Sequence, residues 1–163
     1  MLKFPILLCF LSWVITAGAA VRDSLITVTF EELAGLQQKE ERLVLVFIKT
    51  AWCRYCNAME QHVFNHPQLV EKMNNDFYVI FLDAEVCRKI SFSGQVFSFK
   101  PAGKNTGSHE LAEKLAAVNG KIIYPAVCFL NKDNEIVFQY QGFLNKAQLM
   151  EILTVLKQHG ENR

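Results

Sequence analysis

Leu43-Val44-Leu45-Val46-Phe47-Ile48-Lys49-Thr50-Ala51-Trp52-Cys53-Arg54-Tyr55-Cys56 is the stretch that decides the fold of this 163-residue chain. Its first six residues have no polar alternation, which is how a strand buried on both faces reads, and such strands belong to sheets sandwiched between helices. A helical pattern carrying Met59, Val63 and Phe64 follows, starting at or near Cys53 and predicted to run to about Phe64. A buried strand therefore delivers two cysteines, spaced by two residues, to the first turn of a helix. Unpaired N–H groups and the helix dipole favour negative charge there, so one thiol becomes reactive. This layout predicts thiol–disulfide exchange, with Cys53 as the exposed attacking thiolate and Cys56, one turn inside, as the buried resolving thiol. Arg54 adds a permanent positive charge beside Cys53, and Lys49 at the strand end would add a second. Both would lower the thiol pKa and make the couple more oxidising.

Upstream, Ile26-Thr27-Val28 reads as a short strand, and Thr29 to Glu32 has the spacing of a capping box for a first helix reaching about Lys39. Downstream, Asn65-His66-Pro67 interrupts and restarts the helix, because proline is tolerated in a first helical turn but not inside a helix. Residues 77–82 form a second fully apolar strand. The βαβαβ order argues for an α/β layered fold with parallel central strands. Residues 86–108 break the pattern. Ile90 to Phe92 and Val96 to Phe99 flank Ser93-Gly94 as a small hairpin, and residues 101–107 read as loop, making an insertion too short for a core of its own. A short helix from His109 to about Ala117 follows. Then come a strand from Ala126 to Leu130, a turn over residues 131–134, a partner strand through Ile136, Phe138 and Tyr140, a break at Gly142, and a last helix. That helix carries Leu149, Ile152, Leu153 and Leu156 on one face.

Before the domain, Lys3, an apolar stretch over residues 4–15 and small residues with Ala17 and Ala19 make the layout of a secretory signal peptide, with cleavage expected after Ala19. An uncleaved anchor is the bland alternative, but roughly 12 apolar residues fall short of the roughly 20 that span a bilayer. Cys9 follows Leu8 and lies mid-stretch, which does not suit lipid attachment. Residues 20–163 would form one domain. Lys3 is the only charge removed from 17 basic residues, leaving 16 against 16 acidic ones, so nothing points to nucleic acid or an anionic surface. The absence of an N-x-S/T sequon fits a bacterial envelope better than a glycosylating pathway.

Four cysteines remain: Cys53, Cys56, Cys87 and Cys128. A C-x-x-C pair is also half of a zinc site, but Cys87, Cys128, His62, His66, His109 and His159 form no matching second pair, and no metal is expected. Haem attachment fails because Asn57, not His, follows Cys56. A permanent Cys53–Cys56 bridge would close too small a loop to stabilise much. Cys128, inside an apolar strand, reads as a small core residue, and Cys87, past the second strand, reads as a passive thiol in preference to one that exchanges with the active pair. A strand is expected between them, which argues against a Cys87–Cys128 bridge.

Val46 to Cys56, Tyr124-Pro125, the hairpin around Lys132-Asp133 and the segment from Gly142 to Leu149 together resemble the thioredoxin superfamily. The run from Trp52 to Glu60, followed by Val63-Phe64 and Pro67, more closely resembles exported bacterial thioredoxin-like proteins, and the resemblance covers roughly residues 27–156. The resemblance implies a thioredoxin fold, in which helices flank a central mixed β-sheet. It implies that Trp52 covers the cysteine pair, and that Pro125 is a cis proline facing it, with the backbone of Tyr124 pairing with substrate. Arg54-Tyr55 replaces the Gly-Pro of thioredoxin. Phe47 stands where thioredoxin has a buried Asp, so the usual proton acceptor for the resolving cysteine is missing. Glu60, one turn after Cys56, is a substitute to weigh against a solvated helix-face Glu.

The expectation is an exported oxidoreductase, in the periplasm or outside the cell, acting as a monomer on protein thiols and disulfides without a cofactor. Reduction or interchange is expected over oxidation. With no nicotinamide or flavin motif, a reductase would need a membrane electron donor. The rival reading is a non-catalytic module that keeps the fold and docks a partner through the insertion.

Overall fold

Strand β1 (Leu43–Lys49) has five consecutive buried residues because it lies inside the sheet with helices on both faces. A computed structural model of the chain describes residues 24–104 and 106–161, and the segment read as an export signal lies outside them. On one side β1 pairs in parallel with β2 (Phe77–Asp83), from Leu43 opposite Phe77 to Lys49 opposite Asp83. On the other it pairs antiparallel with β7 (Ala126–Leu130), which pairs antiparallel with β8 (Ile136–Gln141). The sheet order is β2-β1-β7-β8. This is a mixed α/β fold with a central mixed sheet flanked by helices.

Alternation along β1 splits the core in two. Val44, Val46 and Ile48 join a cluster with Phe30 and Leu33 of helix α1 (Phe30–Gln37) and with Leu111 and Leu115 of α4 (Glu110–Ala116). Leu45 and Phe47 face the opposite cluster, built by α2 (Arg54–His62), α3 (Pro67–Asp76) and α5 (Lys146–Glu161), with Met59, Leu69, Met73, Leu149 and Leu153. Each such side chain contributes about 1.5–3 kcal/mol on burial, so β1 is firmly held in the core, and the cysteines hang from its end.

The capping box of α1 is complete. Thr29 accepts from the Glu32 amide, and the Glu32 carboxylate accepts from the Thr29 amide at 2.8 Å. The strand expected just before it is reduced to a single parallel bridge, Thr27 to Val79, because the chain turns into the Thr29 cap at once. Pro67 opens α3 in its first turn, as its fixed φ and missing N–H allow.

Within the insertion, β3 (Ile90–Phe92) and β4 (Gln95–Phe97) form the expected hairpin over Ser93 and Gly94, both at positive φ. The loop expected over residues 101–107 is instead largely a second hairpin, β5 (Phe99–Gly103) with β6 (Thr106–His109). Ile90, Phe92 and Phe97 are buried in the α1/α4 core. Buried His109 fastens the insertion to the end of β2. Its amide donates to the Ala84 carbonyl at 2.7 Å, its Nδ1 accepts from the Leu111 amide, and its Nε2 lies 3.1 Å from the Arg88 carbonyl.

Candidate active site

At the end of β1 the chain turns through Thr50, whose carbonyl accepts from the Cys53 amide, and α2 begins. Cys53 is the N-cap, in extended conformation, and its Sγ accepts from the Cys56 amide at 3.1 Å. The two cysteines are joined as a disulfide with S–S 2.04 Å and Cα–Cα 5.2 Å. A sulfur at this position meets the unpaired N–H groups of a first helical turn that contains no acidic residue, so the site stabilises a thiolate on Cys53 once the bond is reduced. Cys53, expected to be exposed, is only 5 % exposed here, and Cys56 is 0 %. The reason is that the Cys53 sulfur is bonded inward to Cys56, at the margin of the core that holds Met59 and Phe47.

Aromatic side chains stand around the pair. Trp52 is 65 % exposed. Its ring meets Tyr124 edge-on at 5.9 Å, and its Nε1 donates to Glu85 Oε1 at 3.0 Å. Tyr55, 67 % exposed, leans towards Phe143 at 6.3 Å, and Arg54 is exposed between the cysteines. The Tyr124–Pro125 peptide bond is cis. The Pro125 carbonyl accepts from the amide of Gly142, whose φ of 115° is open to glycine, and this brings Phe143 alongside. Burial, with added repulsion from Glu85, Asp83 and Glu113, pushes the Tyr124 phenol up to about 12, so it stays neutral at physiological pH.

Beneath the helix, Lys49 is paired with Glu60. Its Nζ donates to both oxygens of Glu60, at 2.7 and 2.8 Å, because alternation along β1 points Lys49 to the α2 face, where Glu60 is the acid within reach. Glu60 is not a solvated helix-face residue either, since the two side chains are 27 % and 26 % exposed. Phe47 packs with Phe64 and Phe81 in a trio with centroid separations of 4.7, 5.2 and 5.1 Å, and Lys49 Nζ lies 5.9 Å from the Phe81 ring centre.

Cys128 is buried in β7, where burial pushes its thiol up to about 12, and Cys87 is exposed, its thiol donating weakly to the Glu85 carbonyl. Both are free, and β1 lies between the strands near them. Among the described residues no group of three His, Cys, Asp or Glu side chains could hold a metal ion, and no helix is long and apolar enough to cross a membrane. Sequence reasoning missed Glu85 and Phe143. Glu85 meets Trp52 across 33 residues, and no local spacing marks that contact.

A mixed sheet that presents a Cys-x-x-Cys disulfide at a helix N-terminus, next to a cis-proline loop, defines the class of thioredoxin-fold dithiol proteins. Residues 29–157 match the family model of the thioredoxin-like domain, and the chain belongs to that family. Among solved structures it is similar to a thioredoxin from Thermus thermophilus, at TM-score 0.59 and 21% identity over 85% of this chain and 91% of that one. It is also similar to a DsbH oxidoreductase, at TM-score 0.57 and 12% identity over 83% and 86% of the two chains. A disulphide isomerase from Xylella fastidiosa gives TM-score 0.53 and 13% identity over 77% and 86%. At these identities the likeness is one of fold. No curated protein sequence matches the chain.

Proposed function

We propose that the protein is an exported thiol–disulfide oxidoreductase of the cell envelope that reduces or interchanges protein disulfides as a monomer. The observation that carries this reading is the Cys53–Cys56 disulfide at the N-terminus of α2, with the Cys56 amide aimed at Cys53 Sγ. In the reduced protein the Cys53 thiolate attacks one sulfur of a substrate disulfide. The substrate S–S bond breaks, a mixed disulfide forms on Cys53, and the released thiolate takes up a proton. Cys56 then loses its proton and attacks Cys53 Sγ, releasing the second substrate thiolate and closing the disulfide present here. Two electrons and two protons pass to the substrate, and a dithiol donor restores the enzyme. The exposed rings of Trp52, Tyr55 and Phe143 suit a loosely structured polypeptide with apolar residues beside its cysteines. Export rests on the residue 1–19 pattern.

The test is trapping in the envelope with Cys56→Ser, which should hold substrates as mixed disulfides on Cys53, while Cys53→Ser should hold none. No trapped species with Cys56→Ser would favour the rival reading, a partner-docking module whose cysteines are incidental. Thiol labelling in cells gives the direction: a mainly reduced pair marks a reductase, and a mainly oxidised pair an oxidase.

A further inference from the structure

Tyr124 is pinned on both flanks by two consecutive residues at the end of β8. The Pro125 carbonyl accepts from the Gly142 amide at 2.7 Å, and the Ile123 amide donates to Gln141 Oε1 at 3.2 Å. Tyr124 itself stands outside the sheet ladder, which pairs β7 with β1 and with β8 only from Ala126 onward. Its main chain is thus carried to the edge of the Trp52 ring without joining the sheet. An extended polypeptide can gain affinity from main-chain groups presented in this way.

The Gln141 side chain has further bonds. Helix α4 stops at Ala116, with Ala117 extended, so its last carbonyls have no partner within the helix. Gln141 Nε2 donates to the Ala116 carbonyl, and Gln139, two residues back on the same face of β8, donates from Nε2 to the Leu115 carbonyl at 2.6 Å. Gln141 Nε2 also donates to the Lys121 carbonyl at 3.1 Å. Between those anchors the chain makes a two-residue turn closed by Val118 and Lys121, with Asn119 and Gly120 at positive φ. The turn bonds to itself, and the Gln141 carboxamide joins it to the helix end and to Ile123.

We infer that Gln141 is a positioning residue for protein substrates, one that sets Ile123, Tyr124 and Pro125 so that the Tyr124 main chain meets a polypeptide whose disulfide lies at Cys53. Ile123, 62 % exposed, adds an apolar side chain one residue before Tyr124. A small disulfide reaches Cys53 without pairing with this main chain and gains nothing from the clamp. Gln139 marks what helix capping alone contributes, since its hydrogen bond goes to the helix end and not to the loop. The role deepens the oxidoreductase reading and rests on it.

The test compares two substrates of the full chain in a Cys9→Ser, Cys87→Ser background: insulin, turned over with dithiothreitol as donor, and Ellman's disulfide, mixed with the reduced chain. Gln141→Leu should raise KM for insulin about fivefold, the worth of one lost hydrogen bond, with kcat and the rate with Ellman's disulfide within about twofold of the parent. Gln141→Glu keeps an acceptor for the Ile123 amide and gives up both donors, so it should raise KM by less. It also keeps the question answerable if the leucine variant does not fold. Gln139→Leu should lower the urea midpoint, as loss of a cap does, and leave KM for insulin unchanged. A KM for insulin equal to the parent's in both Gln141 variants, a rise of the same size in Gln139→Leu, or an equal loss with Ellman's disulfide overturns the positioning role and leaves the oxidoreductase reading intact. A parent that does not turn over insulin overturns both.

Discussion

The indole of Trp52 is held by Glu85: Nε1 donates to Oε1 at 3.0 Å while the ring rests edge-on against Tyr124. Glu85 is itself fixed, because its amide donates to Asp83 Oδ1 at 2.9 Å at the end of β2. A ring that is mostly solvent-exposed is thereby kept upright between the β2 end and the cis-proline loop, where an incoming chain would meet it.

Glu85→Ala should release that ring. In a Trp13→Phe background, where Trp52 is the only indole, acrylamide quenching of its fluorescence should rise. A hydrogen bond of this kind is worth about 1 kcal/mol, so KM for a protein disulfide should rise about fivefold with kcat little changed. A quenching constant equal to the parent's would show that the bond does not hold the ring.

Cys128 and Tyr124 give the fold an alkaline weakness. Burial pushes the Cys128 thiol up to about 12, and burial followed by Glu85, Asp83 and Glu113 pushes the Tyr124 phenol up to about 12. In the unfolded chain they would ionise near about 8.5 and about 10. Above those values the unfolded state binds fewer protons than the folded one, so this stabilisation is present below about pH 8.5 and is lost as pH rises towards 12. Urea midpoints measured from pH 8 to 11 should fall, and the slope should be shallower in Cys128→Ala and in Tyr124→Phe. In a Cys9→Ser background, the oxidised native protein should show one reactive thiol, Cys87, with Cys128 reacting only in urea. Two fast thiols without urea would contradict the burial of Cys128.

The sheet centre and the dithiol were legible because each is a local pattern. An unbroken apolar run means burial on both faces, and Cys-x-x-Cys after such a run means a helix start. The second hairpin of the insertion was not legible. Pro101, Gly103 and Gly107 read as loop residues, whereas Gly107 sits in β6, where a Cβ would overlap the Lys100 carbonyl and the Phe99 ring. The glycine is there for close approach, not for a turn, and sequence alone does not separate the two. The ties of Lys49 to Glu60 and of Glu85 to Trp52 span 11 and 33 residues, so only the assembled fold could reveal them.

Gly107→Ala follows from that distinction. The added methyl meets backbone on one side and a ring on the other, so the β5–β6 hairpin should be pushed apart at a cost of about 1–3 kcal/mol. Amide exchange should speed up in residues 99–109, while the Cys53–Cys56 chemistry keeps its rate. Unchanged exchange across the hairpin would mean that the pairing is not as close as described.

Phe47 sits fully buried between Phe64 and Phe81, at 4.7 and 5.2 Å, directly below α2. A carboxylate at this point would have no hydrogen-bond partner in the trio, and the nearby cation, Lys49, is already engaged by Glu60. Phe47→Asp should therefore not supply a working proton acceptor. It should lose the ring's packing and bury an unpaired acid, lowering stability by about 3–5 kcal/mol. Phe47→Leu, which keeps the site apolar with a smaller side chain, should cost less, about 1–2 kcal/mol. Urea unfolding of the oxidised protein at pH 7 separates the two variants. The Asp variant should also regain stability as pH falls and its carboxyl becomes neutral, while the Leu variant should show no such recovery. A stable Phe47→Asp protein whose Cys56 resolves faster than the parent's would mean that the space beneath the dithiol is polar and open.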